Sequence, residues 1–225
     1  MSEIKVNKIS PVDGGTDITL GDSGDTFTVP SGATIVNSGT ATGFGGGVWN
    51  KIVRKTVTVT DTIIEFDDST ASEWFSADYK TYKLIIQGLE PNFTSGQKEF
   101  HMLMSTAGAY ATSDYDATCM SFYSSTTAWN TGVASTSDIR LTVDNIGGGT
   151  GMGSNWEFTF EDPLGVDNYK AVRWEAINID HNTRVRYDIG VGMLKVETAL
   201  DGFKFFLESD EEFRDGTATL YGLTY

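Results

Sequence analysis

Residues 184–191 read Arg-Val-Arg-Tyr-Asp-Ile-Gly-Val, a stretch in which apolar and polar residues alternate. Successive side chains of an extended strand point to opposite sides, so this period of two separates an apolar face from a polar face. The pattern is typical of an antiparallel strand with one side in the core and the other in water. We therefore expect the apolar side to be buried and the polar side to face solvent. The apolar side holds Val185, Tyr187, Ile189 and Val191, and the polar side holds Arg184, Arg186 and Asp188.

The same alternation recurs along the rest of the chain. Two further inward sets are predicted, namely Trp156, Phe158 and Phe160, and then Phe203, Phe205 and Leu207. Other strand candidates are residues 55–60, 82–87, 100–104, 119–123, 139–143, 171–177 and 217–225. About five of the strands fall after Gly153, and many are spaced by roughly 8–12 residues, which favours a sandwich or barrel. We expect an all-β chain in which residues 48–225 form a jelly-roll-like sandwich of two antiparallel sheets.

Residues 1–47 differ in composition from the rest of the chain. They hold ten of the 25 glycines, and Phe27 and Phe44 are their only aromatic residues. The short alternating stretches at 18–20 and 27–29 are each too small to offset the entropy of ordering them alone. Such a segment is stable when several copies pool their apolar side chains. We predict a fibre-like segment that ends at the glycine run 45–47 and associates through Ile18, Leu20, Phe27, Val29 and Ile35.

Composition excludes several classes of partner. The formal net charge of −15 argues against nucleic-acid binding, because that binding depends on Lys and Arg neutralising phosphates. No stretch approaches the run of about 18 apolar residues that spans a bilayer, so we expect no membrane insertion. The first residues lack the basic start and apolar block of a secretory signal peptide. Cys119 is the single cysteine and is expected to be a small buried residue.

Several stretches of the chain carry a resemblance to a known group. MSEIKVNKISP at 1–11, ITLGDSGDTF at 18–27 and VPSGATI at 29–35 resemble the amino termini of structural fibre proteins of tailed bacteriophages, especially marine and cyanobacterial phages. YKTYKLII at 79–86, the polar hairpin around 91–96, FHMLMS at 100–105 and GTATLYG at 216–222 are similar to the sandwich domain that ends many phage fibre and appendage proteins.

The resemblance implies a virion protein, on the tail or the capsid surface, that is made in the host cytoplasm without a signal peptide. It also implies a homotrimer whose residues 1–47 dock on other virion proteins. The number three comes from the resemblance and not from any spacing in the sequence.

Motifs that suggest catalysis are incomplete, so we predict a protein that is not an enzyme and has no cofactor. The run Gly-Asp-Ser-Gly-Asp at 21–25 resembles the nucleophile segment of chymotrypsin-like proteases, but no histidine precedes it. The glycine-rich run 147–153 lacks the Lys-Ser/Thr of a phosphate-binding loop. His101 and His181 stand apart from other ligating residues, so no metal site is expected in one chain. Calcium between subunits stays open.

One loop region has the chemistry of a sugar-binding site. Sugars stack their apolar ring faces on aromatic side chains, while carboxylates bind the hydroxyl groups. The candidate glycan-binding residues are Tyr110, Asp114, Tyr115, Asp116, Tyr123 and Trp129. The alternative, which the residue types favour, is that these aromatic side chains pack in the core or at a subunit interface.

Two functions remain open at this stage. The first is a tail fibre that adsorbs to a surface glycan of the host, in which three weak sites on one axis gain avidity from their effective concentration. The second is a head fibre or capsid decoration protein with an architectural role. The length of the chain does not separate them.

Overall fold

A computed structural model describes residues 49–67, 74–93, 98–124, 126–143 and 145–224, with the backbone alone for 126–136. The chain divides into two units, Met1–Phe44 and Gly45–Tyr225, and every described residue belongs to the second. The predicted association residues Ile18, Leu20, Phe27, Val29 and Ile35 therefore lie outside the described residues, and their role stays a prediction.

Apart from one 3₁₀ turn, the regular elements in the described part of the chain are all strands. In chain order they are β1 (Trp49–Thr58), β2 (Ile63–Asp67), β3 (Thr81–Pro91), β4 (Phe100–Thr106), β5 (Ala109–Tyr110), β6 (Tyr115–Tyr123), β7 (Thr126–Thr136), β8 (Ile139–Arg140), β9 (Ser154–Glu161), β10 (Lys170–Ile179), β11 (Val185–Leu194), β12 (Gly202–Leu207) and β13 (Phe213–Leu223). A single 3₁₀ turn, Glu208–Asp210, separates β12 from β13.

The strands form two antiparallel sheets. The large sheet has the order β1-β13-β3-β9-β10-β11-β6-β7, and the small sheet has the order β2-β12-β4-β5 with β8 also paired to β4. The chain passes back and forth between the sheets, so that β1-β13-β3-β9 faces β2-β12-β4-β8 as in a jelly roll. Strands β10, β11, β6 and β7 extend the large sheet beyond this eight-stranded unit. The all-β, jelly-roll-like fold predicted from the sequence is confirmed.

Aromatic side chains fill the space between the two sheets. Phe158 of the large sheet lies 4.6 Å from Phe205 of the small sheet, and Phe160 lies 4.8 Å from Phe203, measured between ring centroids. All four rings are fully buried. Buried rings of this size supply much of the apolar area that holds a sandwich together. The two inward sets predicted from the sequence, at 156–160 and 203–207, are confirmed.

The predicted orientation of β11 is wrong. Val185, Tyr187, Ile189 and Val191 all face solvent, with exposed fractions between 36% and 55%. Arg186 and Asp188 are fully buried on the opposite side. The period of two is present as predicted, but its apolar side points out and its polar side points in.

The packing of Phe205 generates a prediction about stability. Its ring contacts Phe100, Phe158 and Phe203, with centroids 4.6–5.7 Å away. We expect Phe205→Ala to leave a cavity and to lower the free energy of unfolding by about 3–5 kcal/mol. Urea denaturation followed by far-ultraviolet circular dichroism measures this loss. Phe206→Ala on the same strand is the matched control, because Phe206 lies half-buried on the outer side against His101 and should cost much less.

Candidate functional site

Strands β10, β11, β6 and β7 form what we call the sheet extension. Its inner side is covered by strand β8 and the loop after it, at residues 139–143 and 145. Leu141 accepts hydrogen bonds at its backbone oxygen from Trp174 Nε1 at 3.0 Å and from Cys119 Sγ at 3.3 Å. The backbone oxygen of Asn145 accepts a hydrogen bond from Arg186 Nη1 at 3.2 Å. The segment is anchored to the small sheet, because the Leu141 amide donates to the Phe100 carbonyl. Backbone carbonyls buried in this way need donors, and the inner side of the extension supplies them.

The covering segment also lies close to the sheet, which explains the glycines of β11. A Cβ atom at Gly190 would stand 2.2 Å from the Trp174 ring, and one at Gly192 would stand 2.8 Å from the Ile139 side chain. No side chain fits at either position without displacing these neighbours. The inner side of β11 is therefore restricted to glycine where Trp174 and Ile139 approach.

A buried polar network occupies the rest of that inner side. The carboxylate of Asp188 accepts hydrogen bonds from Arg186 Nε at 2.9 Å, from Asn178 Nδ2 at 2.5 Å and from Ser121 Oγ. All four side chains are at least 99% buried. Burial raises the pKa of Asp188 above its usual range, and the Arg186 charge and the hydrogen bonds oppose that rise. The network neutralises two charges that would otherwise be costly to bury.

The outer side of the extension carries what we call the apolar face. Its strand register places Ile177, Tyr187 and Phe122 in one row across β10, β11 and β6, with Ile189 and Met120 paired in the next row. The members are Met120, Phe122, Ile177, Val185, Tyr187, Ile189 and Val191, and each is 36–58% exposed. They are seven of the twelve large hydrophobic side chains exposed in the described part of the chain. They form a continuous patch on three neighbouring strands.

A polar border lies along the β9 side of the apolar face. Glu175 accepts a hydrogen bond from the Tyr187 hydroxyl at 2.8 Å, and Glu157 pairs with Lys83 of β3 at 2.5 Å. Arg173 lies beside Val191 in the register. Two shallow depressions of about 210 and 320 Å³ run along this border. An apolar surface rimmed by polar groups of both signs is typical of a protein–protein contact site.

Sequence reasoning missed the apolar face because it assumed that apolar side chains point inward. A signal was present in the printed sequence: the two glycines at 190 and 192 lie on the same side of the strand as Arg186 and Asp188. Alternate glycines in a strand mark a close approach of other groups. That side was therefore the candidate for burial against a nearby segment.

The structure does not bring the predicted glycan-binding residues together. Asp116 and Tyr123 lie near opposite ends of β6, roughly 23 Å apart at about 3.3 Å per residue. Tyr110 lies on the small sheet, where its hydroxyl donates to Glu65 at 2.9 Å and the Lys204 ammonium stands 4.3 Å from its ring centroid. These residues do not share a site in one chain.

The remaining members of that set are placed as follows. Tyr115 is fully buried, and its hydroxyl accepts a hydrogen bond from the Met104 amide at 2.8 Å, so for this residue the structure agrees with the favoured alternative of core packing and not with a sugar-binding surface. It packs in the core because that amide gives its hydroxyl a buried partner. Asp114 is exposed in the left-handed region with φ of 69°, and Asp116 pairs with Lys195 at 3.1 Å. Trp129 lies in β7 opposite Ser121, and its side chain is outside the described part.

Among the residues that the structure describes, no group of three or more His, Cys, Asp or Glu residues is placed to hold a metal ion. Nor does any helix in the described ranges have the length and apolar character needed to cross a membrane.

The buried network generates a second prediction. Asp188→Ala leaves the Arg186 charge buried without its carboxylate, so we expect the free energy of unfolding to fall by about 3–5 kcal/mol. Glu175→Ala is the matched control, since it removes an outward carboxylate from the neighbouring strand and should cost far less. Urea denaturation at one fixed protein concentration compares the two variants. Equal losses would show that the network does not stabilise the extension.

Comparison with known proteins finds no match: no protein-family model, no curated protein and no solved structure is significantly similar to this chain.

Proposed function

We propose that this chain is a non-enzymatic structural subunit of a tailed bacteriophage, a homotrimeric tail fibre that attaches the particle to its host. The observation that carries the proposal is the apolar face. A continuous apolar patch rimmed by polar groups is typical of an interaction site, and such a site is useful to a protein whose working form is an assembly. The resemblance of residues 1–35 to phage fibre proteins indicates that this assembly is a phage fibre.

The fold supports a structural role. A sandwich buries its core between two sheets and leaves its outer faces available for contacts, so one face can bind a neighbour without disturbing the core. The apolar face supplies contact area, and the polar groups of its border can fix the orientation of the neighbour. Residues 1–47 then dock the assembly on other virion proteins, and the sandwich is its distal part.

A head fibre or capsid decoration protein is the second candidate. The observation that favours it is the dispersal of the predicted glycan-binding residues, since Tyr110 and Tyr123 belong to different sheets and Tyr115 is buried. An architectural subunit needs contacts with its neighbours and no sugar site. If the chain is a tail fibre, the host glycan must bind at a surface that the predicted glycan-binding residues do not form.

Labelling of the particle tests the proposal and separates the two candidates. We expect antibodies against the chain to label purified particles of a phage that encodes it, at the tail for a fibre and at the capsid for a decoration protein. We also expect purified chain to compete with adsorption to host cells only in the first case. Particles of that phage from which the chain is absent would contradict both candidates.

A further inference from the structure

We infer that the apolar face is the contact between sandwiches, and that its occupant is the same face of a second copy of this chain. The inference deepens the proposed function and rests on its homo-oligomer, because it names the partner of the face. It differs from the sequence-based prediction, which assigned association to residues 1–47 alone.

The area of the face is the first argument. Seven side chains that are each 36–58% exposed amount to roughly 600 Å² of apolar surface, at the upper end of the largest patch on a typical monomer. A stable interface buries on the order of 800 Å² on each partner, including its polar border. The apolar face and its border together therefore have the size of one side of a complete interface.

Charge is the second argument. The chain carries a net charge of −15, so two copies repel each other over most of their surfaces. The apolar face has no charged member, and its border carries Arg173 and Lys83 beside Glu157 and Glu175. Contact between copies is least opposed where charge is absent or balanced. This surface has no excess of charge of either sign that would attract a strongly basic or acidic partner.

The chemical type of the side chains is the third argument. Five of the seven members are aliphatic or thioether side chains, and only Phe122 and Tyr187 are aromatic. A sugar platform needs exposed ring faces, whereas the Tyr187 hydroxyl is already paired with Glu175. Aliphatic side chains supply apolar area for a protein contact but no ring face on which a sugar could stack. The face is thus suited to protein and poorly suited to a glycan.

The shape of the face indicates how copies meet. Val185, Tyr187, Ile189 and Val191 lie in one line along β11, with about 6–7 Å between successive members. When copies are arranged around a symmetry axis parallel to this line, each member contacts its own counterpart at the same level. A two-fold axis packs the whole face against the same face of one partner. Around the three-fold axis of the proposed homotrimer, the β11 lines of the three copies meet at the axis, and the flanks of each face contact the two other copies.

Analytical ultracentrifugation of the full-length chain tests the inference. We expect the unmodified protein to sediment as a multiple of its 24.5 kDa chain, and Ile189→Asp to weaken self-association by at least about tenfold, because a carboxylate would be buried in an apolar contact. Val166→Asp is the matched control: Val166 is 61% exposed in the loop between β9 and β10, outside the apolar face. We expect it to leave the association unchanged. Circular dichroism verifies that both variants are folded.

Cross-linking gives a readout that does not depend on weakening the contact. Under mild oxidation, Ile189→Cys should form a disulfide between chains, seen as a dimer band in non-reducing electrophoresis, whereas Val166→Cys should not. The native Cys119 adds little background, because it is 96% buried and burial raises the pKa of its thiol to about 12. Equal cross-linking of the two variants would overturn the inference.

The outcomes separate this inference from the proposed function. An oligomer that survives Ile189→Asp with undiminished affinity, and that shows no preferred cross-link at 189, would place the contact elsewhere, for example in residues 1–47. The virion assignment would then survive while the inference fails. A full-length chain that stays monomeric would overturn the inference and the homotrimer together, and antibody labelling of particles would still test the virion assignment.

Salt supplies an independent readout. Because the copies are like-charged and meet at an uncharged face, raising ionic strength should strengthen their association or leave it unchanged. Sedimentation of the unmodified protein at low and high salt measures this. A marked weakening in high salt would indicate a contact held by opposite charges and would contradict the apolar face as the interface.

Discussion

The structure of the sheet extension depends on one constraint: its inner side is covered by the two-residue strand β8 and the loop after it, and not by long strands of the small sheet. A facing sheet would present side chains, and apolar residues would fill the space between. The loop instead presents the backbone carbonyls of Leu141 and Asn145, which need hydrogen-bond donors when buried. On the inner side of β11, the Arg186 guanidinium donates to Asn145, and on β10 the Trp174 indole N–H donates to Leu141.

This constraint reverses the usual orientation of an amphipathic strand. Once Arg186 is buried, it requires a carboxylate, and Asp188 is the next inward residue of the same strand. Once Trp174 lies against the loop, the inward position opposite it at Gly190 has no room for a side chain. The apolar residues of β11 are left on the outer side, where the structure offers them no cover within the described chain. The apolar face is a consequence of how the inner side is covered.

The sequence predicts the parts of the fold that depend on local pattern. Alternation at 156–160 and 203–207 identifies strands and also their inward side, because one side of each holds three large apolar side chains and the other side holds a charged residue, Glu157 or Lys204. Alternation at 184–191 identifies the strand but not its inward side, since that depends on a loop more than 40 residues away in sequence, at Leu141 and Asn145. Tyr115 lies in the core, as the residue types favour, but its buried partner, the Met104 amide, belongs to another strand and is not visible in the local pattern.

Copies of the chain could also associate by pairing strands at an edge of the large sheet. An edge strand presents unpaired backbone groups that can recruit another chain, and proteins block this with charged side chains and bulges. Strand β1, at one edge, carries exposed Lys51 and Arg54, and its pairing with β13 is irregular between Lys51 and Val53. Strand addition is disfavoured at such an edge. At this edge the charged side chains and the high net negative charge oppose contact between copies, whereas the apolar face has no charged member.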